Sequence, residues 1–163
     1  MNERQVALVI MESGARFPAG LAELQAQYAK AIVEAQPPGE SAGEFTRRVV
    51  RRVRGLLDAG DRIDTIVLAL ASDADPGLLT PRYRMARASV AAMTRHGSGR
   101  LVLFAEETAP DELKHQMFGF AGALFDGLRG TRVAVDVRFS APASRSGLHS
   151  FRADSAPELA GAG

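Results

Sequence analysis

Strand and helix patterns alternate along the chain and predict an α/β fold, a three-layer Rossmann-like sandwich around a mainly parallel sheet of at least four strands. Three observations carry that prediction. Residues 6–11 (VALVIM), 63–71 (IDTIVLALA) and 100–105 (RLVLFA) are apolar runs rich in branched residues, without sustained polar alternation. A strand of that kind is covered on both faces, which is the situation inside a parallel sheet. Between and after these runs, apolar residues recur every three or four positions, as they do on the inner face of a helix. Turn residues close the first two runs, Glu12-Ser13-Gly14 after one and Ser72-Asp73-Ala74-Asp75-Pro76-Gly77 after the other.

The first run ends in a tight turn at Gly14. From Pro18 onward Leu21, Leu24, Tyr28 and Ile32 share helical spacing until Pro37-Pro38-Gly39 stops the helix. A second helix over 41–57 follows at once, with Phe45, Val49, Val53 and Leu56/Leu57 as its stripe, so no strand is expected between the two. The run 63–71 reads as the central strand. Leu79, Tyr83, Ala86, Val90 and Met93 then mark a helix from near Pro81 to His96-Gly97. Gly97-Ser98-Gly99 precedes a strand, so it does not build the helix N-terminal phosphate cradle of a dinucleotide or P-loop motif. Pro110-Asp111-Glu112 opens a Phe-rich helix through Leu113, Met117, Phe120, Ala121, Leu124 and Leu128, with acids where the helix dipole favours them. Residues 131–139 alternate strictly, with Val133, Val135, Val137 and Phe139 facing one way and Arg132, Ala134, Asp136 and Arg138 the other. That is the pattern of a half-buried edge strand. One α/β domain over 1–140 is therefore expected, with a flexible tail over 141–163 rich in Ser, Ala, Pro and Gly.

Composition narrows the function. At 163 residues the chain is long enough for one domain with a real core, and 46% apolar residues support a folded one. Lys and Arg number 20 against 19 Asp and Glu, so no overall field points to nucleic acid or a membrane surface. The absence of Cys excludes disulfides, thiolate catalysis and Cys-ligated metal sites. His96, His115 and His149 have no zinc-motif spacing, and none follows a strand end as a catalytic His would. Residues 1–12 lack a signal-peptide pattern and no segment is long and apolar enough to span a membrane, so a cytoplasmic location without a membrane partner is expected.

Parallel strands would gather Glu12, Asp73, Asp75, Glu106 and Glu107 at one rim, where ligands of open α/β sheets bind. Clustered carboxylates bind hard divalent cations, although acids at strand ends also cap the helices that follow. VALVIMESG followed by IVLALASDAD resembles the Toprim domain of topoisomerases, primases and related nucleases. That resemblance implies magnesium held by Glu12, Asp73 and Asp75 and metal-dependent phosphoryl transfer. It covers about fifteen positions, lacks the expected intervening strand, and has one residue instead of two between Asp75 and its Gly. Residues 62–104 also look like the last strand–helix–strand unit of the universal stress protein family, without that family's glycine-rich nucleotide loop.

Two surfaces complete the expectations. Arg47, Arg48, Arg51, Arg52 and Arg54 on one helix read as an anion- or nucleic-acid-binding face, or as a solvated face whose stems cover apolar surface. Phe118 and Phe125 lie off the inner stripe of the Phe-rich helix and mark a protein-partner or homodimer contact, unless they are buried within the domain's own core. The expected function is a non-enzymatic domain binding a protein partner or small ligand at the strand-end rim. Metal-dependent phosphoryl transfer and polyanion binding through the Arg-rich helix stand as the alternatives.

Overall fold

The computed structural model describes residues 5–16, 26–28 and 30–140. The apolar runs become β1 (Gln5–Met11), β3 (Arg62–Ala69) and β4 (Ser98–Glu106), and the alternating segment becomes β5 (Arg132–Ser140). A further strand, β2 (Lys30–Ala35), joins them in a five-stranded sheet of order β2-β1-β3-β4-β5, parallel throughout. β3 is the middle strand and β5 an edge, as their patterns predict. Among the described residues, three full helices connect the later strands: α1 (Ala42–Asp58), α2 (Leu79–Thr94) after a 3-10 turn at Pro76–Leu78, and α3 (Asp111–Phe125).

The runs lack alternation because both faces of the sheet are buried. On one face Val6, Leu8 and Ile10 of β1, Ile66 and Leu68 of β3, and Leu101 and Leu103 of β4 pack against all three helices. The next residues along each strand, Ala7, Val9, Met11, Val67, Ala69, Val102 and Phe104, form a second cluster, against which Ala15 and Tyr28 pack. The result is a three-layer α/β domain. The connections from β2 to β3, β3 to β4 and β4 to β5 all step in the same direction across the sheet. Right-handed crossovers therefore place α1, α2 and α3 on the same face.

β2 corrects the expectation of one helix running through Ile32. Tyr28 and Ile32 share helical spacing but turn to opposite faces. Tyr28 packs on the second cluster, its hydroxyl 2.8 Å from Thr65 Oγ1, whereas Ile32 packs against the helix-side core. The strand is short and its outer side is exposed, so it carries no continuous apolar run to announce it. Leu21 and Leu24, and the tail over 141–163, lie outside the described residues.

Local chemistry sets the helix ends. Ser41 Oγ accepts the Glu44 N–H at 3.1 Å while Glu44 Oε1 accepts the Ser41 N–H at 3.3 Å, a reciprocal cap that starts α1. Gly99 is required where α2 meets β4: its φ is +152°, and a Cβ there would lie 2.5 Å from the sulfur of buried Met93. The expected stripe of α2 is buried at Ala86, Val90 and Met93, with Tyr83 packed against the core. Leu79 is exposed, and the buried side carries Arg82, Met85, Ala86, Ser89, Val90 and Met93. Among the described residues no helix is long and apolar enough to cross a membrane.

Candidate functional site

Strand order reverses between β1 and β3, because the chain leaves β1 toward β2 on one side and returns to β3 on the other. Loops diverge at such a point and leave a crevice at the carboxyl ends of the strands. A cleft of about 190 Å³ lies there. Glu12 and Ser13 line it from the end of β1, Gln36 from the end of β2, and Ala71 and Asp73 from the loop after β3. Ala42 and Phe45 of α1, with Leu78, Pro81 and Met85, supply an apolar wall. The floor is ordered by backbone and amide bonds, since Gln36 N–H donates to Met11 O at 2.8 Å and Ser13 N–H to Gln36 Oε1 at 3.0 Å.

Behind the cleft stands a fully buried arginine. Arg82 Nε donates to Glu12 Oε2 at 2.7 Å and Nη2 to Glu12 Oε1 at 2.8 Å, a two-pronged ion pair. Nη2 also donates to Ala71 O at 3.3 Å, and Nη1 to Asp73 O at 2.7 Å and to Gln116 Oε1 of α3 at 3.2 Å. These five bonds match the five N–H donors of a guanidinium. Glu12 Oε1 further accepts the Ala71 N–H at 2.8 Å. One side chain thus ties β1, the loop after β3 and α3 to α2. The sequence signal for it is slight: Arg82 lies three and four residues before Met85 and Ala86, on the buried side of α2.

This network decides how the rim acids are used. Glu12 faces a guanidinium, and magnesium would have to displace it. Asp73 Oδ1 accepts the Asp75 N–H at 2.9 Å and Asp75 Oδ1 the Gly77 N–H at 3.1 Å, so both acids turn the chain into the 3-10 segment. Glu106 pairs with Arg16, and Glu107 is exposed. The acids share a rim without converging, and among the described residues no group of three His or acidic side chains could hold a metal ion. Glu12, Asp73 and Asp75 therefore do not fit the magnesium site that the Toprim resemblance implies. His96 and His115 are exposed, and His149 lies outside the described residues.

The arginines of α1 divide into two sets. Arg48 donates to Glu34 Oε1 at 2.7 Å, to both Glu40 oxygens at 2.9 and 3.1 Å and to Ala35 O at 2.8 Å, while Arg52 lies 3.2 Å from Glu34 Oε2. Hydrogen bonding from Arg48 lowers the Glu40 pKa, and the same bond raises that of Arg48. These two cations clamp α1 to β2, which corrects the picture of a single five-arginine face. Arg47, Arg51 and Arg54 turn the other way and line a groove of about 270 Å³ with Arg84 of α2. On α3, Phe118 and Phe125 are 57% and 64% exposed. An apolar hollow of about 530 Å³ lies beside Phe125, between α3 and Val133 to Val135 of β5. No protein-family model matches the chain, and no curated protein gives a significant match to it.

Proposed function

We propose that this domain is a binding module that takes one small neutral or cationic ligand in the cleft between β1 and β3. The observation that carries the reading is the position of the cleft at the strand-order reversal, with the buried Arg82 network fixing Glu12, Ala71 and Asp73 of its lining in place. At about 190 Å³ it is smaller than the roughly 300–1,000 Å³ typical of drug-sized sites, so its occupant is a small molecule. Glu12 has its charge matched by Arg82, which leaves Asp73 to set the charge of the lining. A hydrogen-bond donor or a cation complements it; an anion is repelled.

Amide-shift titration with small primary amines, neutral polyols and carboxylates tests this. Amines or polyols should shift the Ser13, Gln36, Ala71 and Asp73 amides saturably, and Ala71→Leu, which narrows the cleft, should abolish the response. Silence of those amides across the panel, a preference for carboxylates, or undiminished binding in Ala71→Leu would sink the reading.

A second reading, self-association through α3, is favoured by the outward rings of Phe118 and Phe125. A Cβ added at Gly119 or Gly122 would meet nothing within 4 Å, so a second backbone has room to approach this face.

A further inference from the structure

The four-arginine groove between α1 and α2 shares no lining residue with the β1/β3 cleft. Arg47, Arg51 and Arg54 stand at positions i, i+4 and i+7 of α1 and form one stripe, with Thr46 and Val50 between them and Arg84 opposite on α2. All four arginines are exposed, and none has an ion-pair partner among the described residues. On these two helices the only acids stand at the ends of α1, Glu44 and Asp58. In a chain whose net charge is only +1, four unmatched guanidinium groups around one hollow form a local field that attracts anions.

We infer that this groove binds a compact linear triphosphate group. Guanidinium forks match phosphate oxygens two at a time, and four of them balance the four negative charges of a fully ionised nucleoside triphosphate tail, or all but one of the five of free tripolyphosphate. The lining contains no aromatic ring, so bases have nothing to stack on. Single DNA-binding modules cover roughly 600–1,000 Å² of protein surface with an extended basic field. The hollow that gathers these four arginines holds only about 270 Å³, which favours a short phosphate chain over a nucleic-acid backbone. A free oligophosphate and the tail of a nucleoside triphosphate offer the same chemistry to the four arginines.

Calorimetric titration of the full chain with inorganic tripolyphosphate, orthophosphate, adenosine triphosphate and a short DNA duplex tests the assignment. Tripolyphosphate should bind one to one at low salt and more weakly as salt rises, with orthophosphate far weaker. Arg51→Ala and Arg84→Ala, made separately at exposed positions, should each weaken tripolyphosphate about tenfold, whereas Arg129→Ala, away from the groove, should leave it unchanged. Adenosine triphosphate equal to tripolyphosphate means that the chain alone is read; tighter binding assigns the nucleotide tail as the source. The inference is overturned if tripolyphosphate does not saturate, if both alanine variants bind it as the parent does, or if the duplex binds and tripolyphosphate fails to compete.

Discussion

Arg82 has every N–H donor engaged and no exposure to water, so its contribution depends on its partners staying in place. Burying a charge is costly, and removing one member of a buried pair leaves the other uncompensated, typically at about 3–5 kcal/mol. Arg82→Met and Glu12→Leu should each destabilise the domain on that scale in urea melts. The double variant should be more stable than the sum of the two losses predicts, because it leaves no lone charge behind. Strict additivity would show that the two side chains are not coupled. Arg82→Lys should also be destabilising, since one ammonium cannot reach Glu12, Ala71, Asp73 and Gln116 together.

At the scale of elements, β2 depends on α1 for its outer support. Arg48 leaves α1 to reach Glu34 and Ala35 of β2 and Glu40 of the connecting loop, and its guanidinium lies 5.3 Å from the centre of the Phe45 ring. The hydrogen bond from Arg48 depresses Glu40 below its ordinary value of 4.5. A carboxyl lowered by folding adds stability at pH above its unfolded value, and that contribution disappears as pH falls through the folded value. The α1–β2 clamp should therefore loosen only below pH 4.5. Carbon-detected NMR titration checks this: the Glu40 midpoint should lie below the ordinary value and return to it in Arg48→Ala. An ordinary midpoint with Arg48 intact would remove the clamp from the pH response.

At the scale of the whole molecule, the two most exposed large apolar side chains among the described residues, Phe118 and Phe125 of α3, stand beside edge strand β5. Phe118 has partial cover, its ring 6.1 Å from that of Phe139, whereas Phe125 borders the open hollow. If two copies bury this face together, sedimentation should show a concentration-dependent dimer. Phe125→Glu should then give a folded monomer, because a charge placed in an apolar contact has no partner. A parent that remains monomeric at high concentration would falsify self-association and leave the hollow to another occupant.

Patterns set by neighbouring residues were legible in the sequence alone. Unbroken apolar runs identify β1, β3 and β4 because both faces of each strand are buried, and strict alternation identifies β5 because one face is not. The phase of the α1 stripe was readable for the same reason, since Phe45, Val49, Val53 and Leu56 repeat within one element. Tertiary structure decided what depends on distant partners. Glu12 and Arg82 are 70 positions apart, so neither residue's surroundings reveal that a rim acid is neutralised by a buried arginine. Likewise, only the placement of β2 beside α1 separates Arg48 and Arg52, held by Glu34 and Glu40, from Arg47, Arg51 and Arg54, which meet Arg84. β2 itself was hidden because an edge strand paired on one side and exposed on the other needs no apolar run. Its identity follows from the register with β1, where Met11 stands opposite Ala35, and not from its own six residues.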